Sequence, residues 1–333
     1  MTAQSISKKQ WLGWGIETTP GTLIATPTVF VPSKAGFKRM QGYSYQQEDR
    51  NTRDKNNDRV STIRHSEGDP KGAWYNDVHP YLLYGFMGGW AMSQPDMTHA
   101  ATVYKHNFTL TDLPPTLSCY KGYHNHVYTM AYGGVSKLKL KWTPNKELEV
   151  ESTITGLWYN KYTGATITPT FSTVKAFSGV TPTITLGSLG VSGDIEDMEI
   201  DLEQVVTPWY GSSGLPDFAR LDYGERHAKV SFTARFDADT LYETYFAANL
   251  DDSLTFDIKG ALIANSGASG TPPNTPYYQE LSLTFPIVGY DTAEIIDSKP
   301  NLQVKVAGTP RPGSAVNSLF TGFVQNTIAS YAL

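Results

Sequence analysis

A mainly β fold is the expectation for this chain, and three observations carry it. Tyr, Phe and Trp make up 12% of the 333 residues and stand among many Thr and Val, a composition that favours strands. The 29 Gly and 20 Pro supply many turns between them. Short runs in which apolar and polar residues alternate recur along the chain, which is the period of a half-buried strand. With 40% hydrophobic residues, the chain can bury a substantial core, as two ordinary domains or one large β domain.

Charge and cysteine content narrow the class. A net charge of −5 argues against a protein that grips phosphate, because such proteins carry a basic excess that displaces counterions. One cysteine, Cys119, forms no intrachain disulfide and reads as a buried small hydrophobe, suited to a reducing cytoplasm. The first residues lack the apolar core of a signal peptide, and no run of about 18 apolar residues occurs, so a soluble, unsecreted chain is expected.

The chain opens on Trp11 to Pro32, where Pro20, Pro27 and Pro32 fix φ and exclude a helix. The stretch reads as extended segments joined by a turn at Pro20-Gly21, forming an arm that packs onto something else. Phe37 to Gln47 is a strand. Glu48 to Arg59 carries both signs of charge without an apolar anchor and reads as the tip of a long hairpin, from which Val60 to His65 returns. After a turn at Gly68 to Gly72, Asn76 or Asp77 caps a short helix with apolar face Val78, Tyr81, Leu82 and Phe86. Pro80 is tolerated in its first turn, and Gly88-Gly89 ends it.

Strands are expected at 103–110, 117–120 and 127–132. A hairpin follows, in which Leu138, Leu140 and Trp142 alternate with Lys137, Lys139 and Lys141 before the chain returns through Glu147, Glu149 and Glu151. The lysines are expected to cancel against these glutamates instead of forming a DNA patch. Residues 156–193 are rich in Thr, Gly, Ser and Pro and read as a connection that carries strands of its own.

Then the order recurs. A strand at 193–203, a long loop at 207–224, a return at 229–236 and a helix capped by Asp237, with Leu241, Tyr242, Tyr245 and Phe246, repeat the first half. Aligning Met40 with Met198 gives nearly the same distance to the helix cap in each half, which suggests an internal duplication. Strands at 253–259, 280–285 and 302–306 complete the second half. The tail from Pro310 to Leu333 is apolar, with Phe320 and Phe323 among its residues, and needs a partner surface in its own subunit or another.

No motif for chemistry stands out. The chain has no nucleophile elbow, phosphate loop or His-Glu-x-x-His, so no catalytic, cofactor or metal residues are expected. His124-Asn-His126 is the one histidine pair whose spacing suits a single strand face, and it lacks further ligands nearby. The sharpest local signal is Asp197, Glu199, Asp201 and Glu203 alternating with Met198, Ile200 and Leu202. Such a line of like charge is either a solvated face of no consequence or a surface whose negative potential is wanted.

Glu17-Thr-Thr-Pro-Gly-Thr22 followed by Thr26-Pro-Thr-Val-Phe-Val-Pro32 resembles the opening of the tail tube proteins of long-tailed bacteriophages, and the order strand, charged loop, strand and short helix resembles them too. The resemblance implies a tail-tube-like β-sandwich or barrel with short flanking helices, here duplicated in tandem. The expected layout is an N-terminal arm at 1–35, β domains at 36–160 and 193–309, a linker at 161–192 and a C-terminal arm at 310–333. It implies a structural virion protein, not an enzyme and without cofactors, that polymerises as stacked rings and conducts DNA during ejection. Ring-to-ring contacts are then expected at Arg50, Arg53, Asp54, Lys55, Asp58 and Arg59, and at Phe320 and Phe323. Asp197, Glu199, Asp201 and Glu203 would face the lumen, past which DNA slides without specific binding.

The resemblance also implies tape measure, tail terminator and distal tail proteins as partners, no membrane, and a place in the virion tail after assembly in the host cytoplasm. Duplication favours three chains per ring over six. The competing class is a carbohydrate-binding or carbohydrate-cleaving β-sandwich of a phage receptor-binding type, which would be a small discrete oligomer.

Overall fold

The computed structural model describes residues 9–46, 58–187, 189–191, 194–211, 216–235, 243, 250–266, 275–297, 302–313 and 318–331. They form nineteen strands joined into one antiparallel sheet system, and one α-helix.

The opening stretch supplies β1 (Gln10–Ile16) and β2 (Val29–Pro32), which pair with each other. The turn after β1 forms where expected. The Thr22 amide donates to the Thr19 carbonyl at 3.0 Å across Pro20 and Gly21, and Gly21 takes φ 81°, the left-handed value a type II turn demands at its third position. The segment's partner, however, is its own chain: β1 lies along β8 (Leu117–Tyr123), with Leu12, Trp14 and Ile16 in the core. The stretch is therefore an inner strand and not a free arm. Its single acid explains part of the opening motif. Buried Glu17 accepts hydrogen bonds from the Thr116 and Ser118 hydroxyls and from the Gly21 and Tyr132 amides, at 2.7–2.9 Å. Four donors compensate a carboxylate that would otherwise be costly to bury.

β3 (Phe37–Gln46) and β4 (Asp58–Gly68) make the expected long hairpin, and β5 (Lys71–Ala73) continues it past Asp69-Pro70. Helix α1 (Pro80–Met87) follows, with Pro80 in its first turn and Gly88, at φ 88°, closing it by donating to the Tyr84 carbonyl. Neither Asn76 nor Asp77 caps it: His79 holds the cap position and makes no side-chain cap bond. Asn76 instead ties distant strands together, with its amide donating to Gln279 Oε1 at 3.0 Å and to the Gln325 carbonyl at 2.8 Å. Asp77 accepts from the Ser172 hydroxyl.

His79 is buried and stacks on Trp74, while its Nδ1 accepts the Tyr75 amide at 2.9 Å. Burial pushes the imidazole from its ordinary 6.5 down to about 3. Between those values the unfolded chain binds a proton that the folded chain refuses, so stability falls as pH drops, by at most about 1.4 kcal/mol per pH unit. Urea denaturation at pH 7 and pH 5 should show a smaller loss for His79→Gln than for the unsubstituted chain. Equal losses would contradict this role.

β6 (Gly88–Ser93) and β7 (Tyr104–Leu110) precede β8, and β9 (His126–Trp142) fuses two of the expected strands into one. It bends at Tyr132, which sits at φ 56° with its amide on Glu17, and its pairing passes from β8 to β10 at Gly133-Gly134. β10 (Glu149–Gly156) returns along the second part of β9. The connection then carries β11 (Asn160–Lys161), β12 (Thr183–Leu186) and β13 (Leu189–Gly190). β14 (Ile195–Trp209) and β15 (Arg220–Arg235) form a hairpin that extends through much of the expected loop. The helix expected after Asp237 lies outside the described residues. β16 (Asp252–Asn265), β17 (Pro276–Ile296), β18 (Gln303–Arg311) and β19 (Thr321–Asn326) complete the chain.

One pairing scheme occurs twice. β1 pairs with β2 and β8, β8 with β9, β9 with β10, β10 with β4, and β4 with β3. In the same way β12 pairs with β13 and β16, β16 with β17, β17 with β18, β18 with β15, and β15 with β14. Irregularities recur at equivalent places: after Gln41 and after Gln204, between Leu117 and Cys119 and between Asp252 and Leu254, and at Ser136 and Asp291. These irregularities set Met40 against Glu203, each one residue before the break, and not against Met198. The two sets join where β9 pairs with β14.

The result is a row of eight neighbouring strands, β3-β4-β10-β9-β14-β15-β18-β17. The first part of β17 leaves this row to pair with β16 and β19, and β19 continues to β7. A single hydrophobic cluster takes in Leu138, Leu140 and Trp142 of β9, Met198, Ile200 and Leu202 of β14, and Phe285 of β17.

Candidate functional site

Alternation along β9 and β14 puts their apolar residues into the core and their charges on the opposite face of the eight-strand row. Because β9 and β14 are neighbours, the acidic ladder does not stand alone. Lys141 lies opposite Glu199, Lys139 opposite Asp201 and Lys137 opposite Glu203. Lys137 Nζ is 2.7 Å from Asp201 Oδ2 and also pairs with Glu203, and Lys139 Nζ is 2.6 Å from Glu199 Oε1. Beyond the ladder, on β15, His227 Nε2 lies 2.7 Å from Glu203, and the Thr233 hydroxyl donates to Asp197 at 3.2 Å. On the other flank of β9, Glu149 and Glu151 of β10 stand opposite Lys141 and Lys139. A basic strand thus runs between two acidic ones.

The expected partnership of the lysines with the β10 glutamates is therefore only half of the arrangement. The ion pairs of Lys137 and Lys139 are made with β14, some sixty residues away in sequence. Partial burial works against the Lys137 charge, but hydrogen bonds to Asp201 and Glu203 win and hold its pKa above the ordinary lysine value. Lys137 in turn holds Glu203 below the ordinary carboxylate range, with His227 helping. A line of like charge has become a mosaic in which each sign is fixed by the other.

The remaining expected residues scatter. Arg50, Arg53, Asp54 and Lys55 lie outside the described residues. Asp58 and Arg59, expected in the loop, are strand residues paired with Gln46 and Tyr45, and the Arg59 guanidinium stacks 4.3 Å from the Tyr43 ring. Phe320 is buried against Phe86 and Phe285 of its own chain, so it does not serve as a surface contact. Phe323 is half-buried under the Lys105 ammonium. His124 and Asn125 form the turn between β8 and β9, so His124 and His126 do not share a strand face. Among the described residues no cluster of three or more His, Cys, Asp or Glu is placed to hold a metal ion.

One link escaped the sequence reading. Arg64 of β4 holds Asp217 through two bonds, Nε to Oδ1 at 2.6 Å and Nη2 to Oδ2 at 2.7 Å, and its amide donates to the Pro216 carbonyl. This clamps the segment leading into β15 onto the β3–β4 hairpin. Each partner is an ordinary surface charge in sequence, and only the fold brings the fork to the carboxylate.

The face offers paired charge on extended sheet. A family model described as phage tail tube protein matches residues 8–304, most of the chain. The chain belongs to the phage tail tube protein family. No curated protein matches it. As a member of that family it is a structural protein of a bacteriophage tail. The Glu17 motif that carried the resemblance is, in this tail tube chain, the staple that holds the first strand, its turn and the bend of β9 together.

Proposed function

We propose that this chain assembles into stacked rings of three copies, forming the tail tube through which DNA is ejected, with the charged face of the eight-strand row lining the lumen. The observation that carries this is the doubled pairing scheme, in which each half contributes four neighbouring strands to one row. Two tandem tube domains per chain let three chains supply six units, and the covalent link replaces half of the associations a six-chain ring would need.

Width favours the same number. A ring that continues the row from chain to chain holds eight strands per copy. At about 4.8 Å between strands tilted by about 40°, three copies give a barrel about 48 Å across its backbone, and six give about 96 Å. The smaller passes a DNA duplex with side chains in place, and the larger leaves most of the lumen empty.

The mosaic suits that passage. Lys137 and Lys139 are committed to carboxylates and Lys141 stands between Glu149 and Glu199, so the strand offers phosphate no uncompensated cationic patch and the wall does not hold the DNA. Residues 48–57, with Arg50, Arg53, Asp54 and Lys55, remain our choice for contacts between rings. The reading is non-enzymatic. It takes tape measure, terminator and distal tail proteins as partners, with assembly in the host cytoplasm before incorporation into the virion tail. Negative-stain micrographs of the purified protein should show rings or tubes, and a preparation holding only small compact particles at all concentrations would overturn it.

A further inference from the structure

We infer that the joint between neighbouring chains copies the joint inside the chain: the open edge of β17 pairs antiparallel with β3 of a second copy, setting Glu294 opposite that copy's Lys38. The inference rests on the ring assembly proposed above.

Inside the chain, β9 is paired on both sides, by β10 and by β14. In the second set β17 stands where β9 does and β18 where β10 does, but among the described residues no strand takes the place of β14 beside residues 292–296 of β17. At the other end of the row, β3 occupies the position of β14 and, among the described residues, pairs with β4 alone. One molecule therefore presents both halves of a joint it has already made once. Unpaired strand edges are normally shielded, and two complementary edges on one chain are the arrangement that builds a ring by heterologous contact.

The shared irregularities fix the register. Lys139 lies three residues after Ser136, and Glu294 three after Asp291. Asp201 lies three before Gln204, and Lys38 three before Gln41. Since Lys139 faces Asp201 inside the chain, Glu294 faces Lys38 between chains. Both signs are reversed, so attraction is preserved, and both side chains are exposed and free to meet a partner. The next position agrees. Leu140, covered by Ile200 on β14, is 2% exposed, whereas its counterpart Ile295 is 47% exposed. Phe37 of the second copy, in the place of Ile200, would cover it.

The test uses the full chain with Lys38→Cys and Glu294→Cys together, oxidised under assembly conditions. Directly opposed residues on antiparallel strands sit within disulfide reach, and Cys119 is buried and does not compete. Denaturing gels without reductant should show most of the protein as linked multimers. The pair Ser44→Cys with Glu294→Cys, displaced by six residues or about 20 Å along the strand, should stay monomeric. Glu294→Lys should block assembly, and adding Lys38→Glu should restore it. Rings or tubes that form without the 38–294 cross-link overturn the joint while leaving the tube reading intact. Failure of the unsubstituted chain to assemble at all overturns both.

Discussion

Replacing Tyr331 by Ala is expected to destabilise the folded chain by about 3–5 kcal/mol, the range for emptying a large aromatic site in a packed core. Deleting residues 310–333 is expected to abolish cooperative folding. Tyr331 is buried, with its ring 4.4 Å from His106, 4.9 Å from Tyr81 and 5.8 Å from Phe108, centre to centre. Its hydroxyl accepts from Asn326 Nδ2 at 2.6 Å, and the same amide group donates to the Asn76 carbonyl. The deletion would also remove part of β18 and all of β19, the strand between β17 and β7, and with it Phe320 and Val324 of the core. Each buried apolar side chain of that size contributes about 1.5–3 kcal/mol, against a total stability of about 5–15 kcal/mol. From sequence, this segment reads as a C-terminal arm that needs a partner surface in its own subunit or another. The structure supplies that surface within the chain, and a truncated chain that melts cooperatively at the full-length midpoint would contradict the prediction.

The charge mosaic gives the second large effect. Replacing Asp197, Glu199, Asp201 and Glu203 by Lys would set four new cations beside Lys137, Lys139 and Lys141 on the neighbouring strand. Like charges directly across a strand pair destabilise it. A tube that still formed would carry a cationic strip that binds phosphate, so ejection should slow and should recover as salt is raised. Exchanging the signs on all three strands, with Lys137, Lys139 and Lys141 also changed to Glu and Glu149 and Glu151 of β10 changed to Lys, keeps opposite charges opposed across β10, β9 and β14. That variant should regain most of the lost thermal stability and eject at close to the normal rate. If the one-sided and two-sided variants behave alike in melting and in salt-dependent ejection, pairing between the ladders is not what sets this face.

Local signals were legible and distant ones were not. The Pro20-Gly21 turn, the β9–β10 hairpin and the Gly88 stop follow from residues that dictate backbone geometry within a few positions. The long β3–β4 hairpin also follows from patterning. What the patterning did not disclose was adjacency across some sixty residues. The lysines of β9 and the acids of β14 are each an ordinary polar strand face alone, and their partnership exists because the two halves join at β9 and β14. The continuity of β9 was hidden because Tyr132, Gly133 and Gly134 look like a strand end, while a buried carboxylate far upstream holds the bend. The composition of the apolar tail demands a partner without naming it, and β19 finds that partner in β17 and β7 of its own chain.

If two tandem tube domains per chain make a three-chain ring, as proposed above, the mass of one isolated ring will show it. Rings released from assembled tubes by mild dissociation and weighed by native mass spectrometry should come out close to three times the 36.7 kDa of a single chain. A ring close to six times 36.7 kDa would contradict it, because each chain would then supply one unit of the ring and the doubled pairing scheme would have no part in its symmetry.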